Sequence, residues 1–138
     1  MNEFRKTKIT LFCQYWLPII IFCAAIFYQS SKPSPQGIPS FIGMDKLLHF
    51  TAYGLLGAMM MRAIGASFPA QPTWRLILFS IMAAFLYGVG DEIYQSFVIF
   101  RDGDVFDAIA DLCGSVAGVL VYQRYRTAKG HGRKGLHQ

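Results

Sequence analysis

Four stretches of this chain carry no Asp, Glu, Lys or Arg: residues 9–31, 47–61, 76–90 and 112–123. That distribution constrains the fold more than length does, because 138 residues with 15% charged would suit a soluble domain equally well. A helix needs about 20 predominantly apolar residues to cross the hydrocarbon core. Only the first stretch meets that length unaided. The other three reach it by taking in flanking residues such as Asp45, Asp91, Glu92 and Asp107, so ionisable groups are expected near membrane depth. The reading is an all-α fold: a polytopic helical bundle with four transmembrane helices at about residues 9–28, 44–66, 73–97 and 105–125. A basic N-terminus, 1–8, precedes this domain of residues 9–125. A basic tail, 126–138, follows it and is expected to be disordered.

The boundaries follow from punctuation and charge. The first apolar run resembles a signal segment, with Cys23-Ala24-Ala25 as a small-residue site, but Ile26, Phe27 and Tyr28 continue it, which favours a retained helix. Ser30 to Pro39 is rich in Ser and Pro and cannot continue a helix. Pro69 and Pro72 separate the second and third spans. Ten of the thirteen basic residues fall on one side of this arrangement: Arg5, Lys6, Lys8, Arg62, Arg75, Arg124, Arg126, Lys129, Arg133 and Lys134. The positive-inside rule puts that side in the cytoplasm, giving N-in and C-in. The net charge of +5 therefore reads as topology, and no nucleic-acid partner is expected. Cys13, Cys23 and Cys113 lie within spans with no C-x-x-C spacing, which reads as packing. Trp16, Tyr28, Trp74, Tyr94, Tyr122 and Tyr125 fall mostly near span ends, where aromatic belts lie.

Seven of the eight acidic residues fall on the opposite, outer side. Asp45, His49 and Tyr53 recur at i, i+4, i+8 and share a face of the second helix. Asp91 and Gln95 share a face of the third, with Glu92 beside them. Asp104, Asp107 and Asp111 form a stripe on the fourth, with Asp104 at the N-cap position. A charge at the centre of a lipid-facing helix costs roughly 2.5–3.5 kcal/mol on insertion scales, so these stripes should face one another. Lys46 and Arg101 are the cations at hand. One outcome is a satisfied network in which Arg101 pairs with Asp91, Glu92 or Asp107, and His49 bonds Asp45 or a neighbouring carboxylate. The other is an outward-facing polar pocket for a headgroup, ion or small ligand. Ala110, Gly114 and Gly118, with Gly54 and Gly57, mark faces where helix backbones can approach closely, within one bundle or in a homo-oligomer.

Signatures of hydrolytic chemistry are absent: no G-x-S-x-G, no P-loop, no H-E-x-x-H. Asp91, Glu92, Asp107 and Asp111, with His49, have atoms suited to Mg²⁺ or Mn²⁺, but no metal-ligand spacing, so no metal or cofactor is assigned. His49 could serve as a general base oriented by Asp45.

The same residues resemble a known family. Asp45-Lys46-Leu47-Leu48-His49-Phe50 with Tyr53 looks like the DKxxHFxxYxxL element of VanZ-like membrane proteins. Asp91-Glu92-Ile93-Tyr94-Gln95-Ser96-Phe97 is similar to their DExxQxF element. Arg101 to Asp107, with Ala110 and Gly114, resembles RxxDxxDxxAN-xx-G, with Asp111 where the family usually has Asn. Together these cover about residues 28–122 in the family's order. The resemblance implies a multi-pass protein of the bacterial cytoplasmic membrane, in a family named for a protein associated with resistance to the glycopeptide teicoplanin.

Three functions are thereby expected to compete. The first is a pocket contacting membrane lipids and binding a lipid headgroup, a cell-wall precursor or an amphipathic antibiotic. The second is a membrane enzyme acting on an envelope lipid through His49 and the carboxylates. The third is an oligomeric cation-coupled transporter.

Overall fold

Pro18 sets the first local irregularity of the structure. With no N–H it cannot donate to the carbonyl of Gln14, and its ring crowds that carbonyl. A π-helical turn at Phe12–Trp16 directly upstream absorbs the misfit, as wider turns do at kinks. It joins α1 (Asn2–Leu11) to α2 (Leu17–Ser30). Then come α3 (Met44–Ser67), α4 (Thr73–Gln95) and α5 (Val105–Lys134). The structure, a computed structural model, describes residues 2–32, 43–98 and 104–134, and side chains over 7–32, 43–98 and 104–129. Arg101 and most of the Ser/Pro-rich loop lie outside the described residues.

Among the described residues, four helices are long and apolar enough to cross a membrane: Thr7–Ser30, Met44–Ser67, Thr73–Gln95 and Val105–Lys129. The expected all-helical bundle of four spans is therefore what the chain forms. Two boundaries differ. The first helix begins at Asn2 instead of near residue 9. The tail expected to be disordered from Arg126 is helical as far as Lys134. Arg126, Ala128 and Lys129 are good helix formers, and cations suit a helix C-terminus.

α3 and α4 start at residues whose backbone is not helical, and α5 at a side-chain cap. Gly43 precedes α3 with φ 96°, a left-handed conformation that glycine adopts without steric penalty. Pro72 precedes α4 in an extended conformation. Asp104 precedes α5, and its Oδ1 accepts from the Phe106 N–H at 2.8 Å, as an N-cap side chain does.

The tightest contact joins α3 and α5, which run parallel. A Cβ built on Gly118 would overlap the Gly54 carbonyl, and one on Gly114 would overlap that of Phe50. On the other helix, a Cβ at Gly57 would lie 2.7 Å from the Ser115 carbonyl oxygen. The small-residue faces read from the sequence thus meet inside one chain. α4 packs antiparallel against both, and Tyr53, Leu56, Met61, Ala63, Ala84 and Val119 fill the interior. α2 lies more loosely, with only Ile19 and Ser30 buried among its residues. Near its start, the Trp16 indole N–H donates to Ser67 Oγ at 3.1 Å, and Arg62 lies over the Tyr15 ring.

Candidate functional site

The end of the bundle where α2 finishes and α3 and α5 begin is acidic. Three polar clusters meet there: the first joins α3 to α5, the second adds α4, and the third ties α2 to α4.

The rim cluster joins α3 to α5. Lys46 Nζ donates to Asp104 Oδ2 at 2.8 Å and to Asp107 Oδ1 at 3.0 Å. Asp104 also receives support from α4, because its backbone N–H donates to Glu92 Oε2 at 3.0 Å. Asp104 lies just ahead of the α5 span. The Lys46 hydrogen bond, and then the Phe106 N–H, hold its carboxyl below the usual aspartate range. A depressed folded value adds stability that is present above the unfolded value and lost as pH falls through the folded one. Acid unfolding of the wild type should therefore steepen below the ordinary aspartate pKa. Asp104→Asn should flatten that part of the profile, as followed by circular dichroism in micelles.

The central cluster lies one turn deeper. His49 Nδ1 is 3.0 Å from Asp111 Oδ1 and 3.6 Å from Glu92 Oε1. The His49 side chain is 10% exposed, that of Glu92 9% and that of Asp111 0%. With Asp111 ionised, Nδ1 carries the proton and donates. Gly88 makes the room for this arrangement: a Cβ there would come within 2.7 Å of Asp111 Oδ2 and 3.0 Å of the Tyr53 ring. Tyr53 stacks beside His49, with ring centroids 6.2 Å apart.

The third cluster ties α2 to α4. Ser30 Oγ donates to Asp91 Oδ2 at 2.7 Å, and Gln95 Nε2 donates to the same oxygen at 3.0 Å. Next to it, Tyr87 Oη donates to the Cys23 carbonyl at 2.6 Å. These bonds fix the otherwise loose α2 at its acidic end.

A groove of about 380 Å³ opens between α2, α3 and α4 and is lined by residues of two clusters. Its polar wall carries Asp45, His49, Tyr53, Asp91, Gln95 and Ser30, and its apolar wall Ile26, Leu48 and Ala52. Among the described residues, Tyr53 Oη and Asp91 Oδ1 are buried without a hydrogen-bond partner, as are Glu92 Oε1 and Asp111 Oδ2. Unmet buried polar atoms cost about 1–3 kcal/mol each, and in native sites they commonly mark where a ligand, ion or water belongs.

Set against the sequence, the structure brings Lys46, His49, Tyr53, Asp91, Glu92, Gln95, Asp104, Asp107 and Asp111 into one region. Asp45 stays at the exposed rim. It shares a helix face with His49, but His49 turns its Nδ1 across to α5, so Asp111 is the partner. Arg101 and its proposed pairings lie outside the described residues. Sequence reasoning missed Ser30, which continues the Ile19, Cys23, Ile26 stripe at helical spacing and was visible on that ground. It also missed the space that Gly88 leaves, which no spacing rule reveals.

The family model described as VanZ/LLP1 matches residues 3–126 of the chain. No curated protein and no solved structure matches it significantly.

Proposed function

The chain belongs to the VanZ/LLP1 family, and from that premise we propose that this multi-pass membrane protein binds the headgroup of an amphipathic molecule in the groove at its acidic end. The observation that carries this reading is a groove lined both by Tyr53 and Asp91, whose Oη and Oδ1 atoms are buried without a hydrogen-bond partner among the described residues, and by apolar Ile26, Leu48 and Ala52. A carboxylate and a phenol side by side suit a headgroup bearing hydrogen-bond donors, an amine or sugar hydroxyls. The lining includes two carboxylates, Asp45 and Asp91, and no Lys or Arg among the described residues, which disfavours a bare anion. Ile26, Leu48 and Ala52 would lie against the adjoining apolar portion. A lipid headgroup, a lipid-linked cell-wall precursor and a glycopeptide antibiotic all have this make-up, and the bacterial cytoplasmic membrane is where they meet such a groove.

Native mass spectrometry of protein released from micelles tests the reading with phosphatidylethanolamine, phosphatidylglycerol, a lipid-linked wall precursor and teicoplanin. At least one amine- or sugar-bearing probe should be retained in preference to phosphatidylglycerol. Asp91→Asn and Tyr53→Phe should each weaken retention by about tenfold, the value of one hydrogen bond to a charged group. Equal retention of all four probes, unchanged in both variants, would sink the proposal.

A catalytic second reading rests on the His49–Asp111 pair. Asp111 fixes the imidazole so that Nε2 is left as a base beside the groove, in the manner of a carboxylate-oriented histidine. Turnover of a bound envelope lipid that disappears in His49→Gln would favour this reading over binding alone.

A further inference from the structure

We propose that His49, Glu92 and Asp111 form a binding site for one divalent transition-metal ion, Mn²⁺ or Zn²⁺, at the meeting point of α3, α4 and α5. One donor atom from each residue lies within 4.8 Å of the other two. Two of the separations are 3.0 Å, Nδ1 to Asp111 Oδ1, and 3.6 Å, Nδ1 to Glu92 Oε1. Ligands bonded at about 2.0–2.2 Å around one ion, at angles between octahedral and tetrahedral, sit roughly 3.0–3.5 Å apart. Two of the three separations are already close to that spacing, and the third is within 4.8 Å.

A second observation points into the same space. Among the described residues, Glu92 Oε1, which lies 3.6 Å from His49 Nδ1, is buried with no hydrogen-bond partner; Asp111 Oδ2 is also unpartnered, on the side of Gly88. The hydrogen bonds of Glu92 and Asp111 are made through their other oxygens, to the Asp104 N–H and to His49. Lys46 does not serve them, since its ammonium is committed to Asp104 and Asp107. Among the described residues, two buried carboxylates with a neutral imidazole leave a deficit of two positive charges, which one divalent cation would supply. On binding, the Nδ1 lone pair goes to the ion, the ring proton moves to Nε2, and the Nδ1–H to Asp111 hydrogen bond is replaced by coordination. Imidazole favours Zn²⁺ and carboxylates favour Mn²⁺, so the mixed donor set takes either.

The site goes beyond the groove reading and is tested without any lipid. Protein purified without a polyhistidine tag would be stripped with chelator, dialysed against Mn²⁺ or Zn²⁺, and its metal content measured. About one ion per chain is expected. Glu92→Gln and Asp111→Asn should each weaken binding by at least about 100-fold, beyond the effect of losing an outer-sphere partner. Asp45→Asn should leave binding unchanged, which separates this site from the neighbouring Asp45, His49 and Asp107 grouping. Absence of a retained ion overturns the proposal, as does loss of the ion in Asp45→Asn alone. If the Glu92 and Asp111 variants fail to fold, pulsed electron paramagnetic resonance of Mn²⁺-loaded wild type decides: imidazole nitrogen coupling supports the site, and its absence overturns it.

Discussion

Gly118→Ala should be among the most damaging single substitutions in this chain. The added Cβ would overlap the backbone of Gly54, and a backbone cannot move aside by changing rotamer. The whole of α5 would have to shift from α3, carrying Asp107 and Asp111 away from Lys46 and His49. Overpacking of a tight interface costs about 1–3 kcal/mol and occasionally more; this position belongs at the upper end of that range. Gly90→Ala supplies the control, since a Cβ there meets nothing within 4 Å and alanine is the better helix former by about 1 kcal/mol. Unfolding in mixed micelles should show the first variant strongly destabilised and the second unchanged or slightly stabilised. Equal stability of the two would refute the close α3–α5 contact.

Lys46→Met is expected to have the second large effect. Its ammonium is the partner of Asp107, whose side chain is 5% exposed, although Lys46 itself is 42% exposed. Truncation leaves a nearly buried carboxylate oxygen without its donor, at about 1–3 kcal/mol. Partial solvation of the lysine argues for the lower half of that range. Removing both partners in Lys46→Met/Asp107→Leu should recover more than half of the loss, because an apolar pair of similar shape is often neutral. The same micelle unfolding assay reads both; a double variant weaker than the single one would show that Asp107 has another essential contact.

The spans were legible because insertion into lipid leaves a coarse signature. Charge-free runs, Pro72 and the cap at Asp104 place the starts of α4 and α5, and Gly114 and Gly118 announce a close helix contact. The faces of the polar stripes were legible too, since Asp91 and Gln95 bond each other as their spacing implies. Pairing across helices was not. Asp45 and Asp111 were equivalent partners for His49 by chemistry. The choice depends on how α3 is rotated against α5, which the glycine contacts set. The π turn depends on how one missing N–H at Pro18 is absorbed, and that has several backbone solutions. The extension of α5 to Lys134 required weighing helix-forming Arg126, Ala128 and Lys129 against Gly130 and Gly132, a near balance at the level of propensity.

The loose seating of α2 has a consequence for how the protein is assembled. Thr7–Ser30 is uninterrupted by charge after Lys8 and buries almost nothing against its neighbours, so it can enter the bilayer alone and hold the growing chain there. The three later helices cannot be equally independent. α4 and α5 bring carboxylates whose donors sit on another helix: Asp91 needs Ser30 of α2, while Asp111 and Asp107 need His49 and Lys46 of α3. α3 therefore enters the membrane with part of its polar complement still unsynthesised, as does α4, whose Glu92 awaits the Asp104 N–H. Their stable residence depends on α5, the last span to emerge, and the early helices must be kept from rejection or misplacement until it arrives.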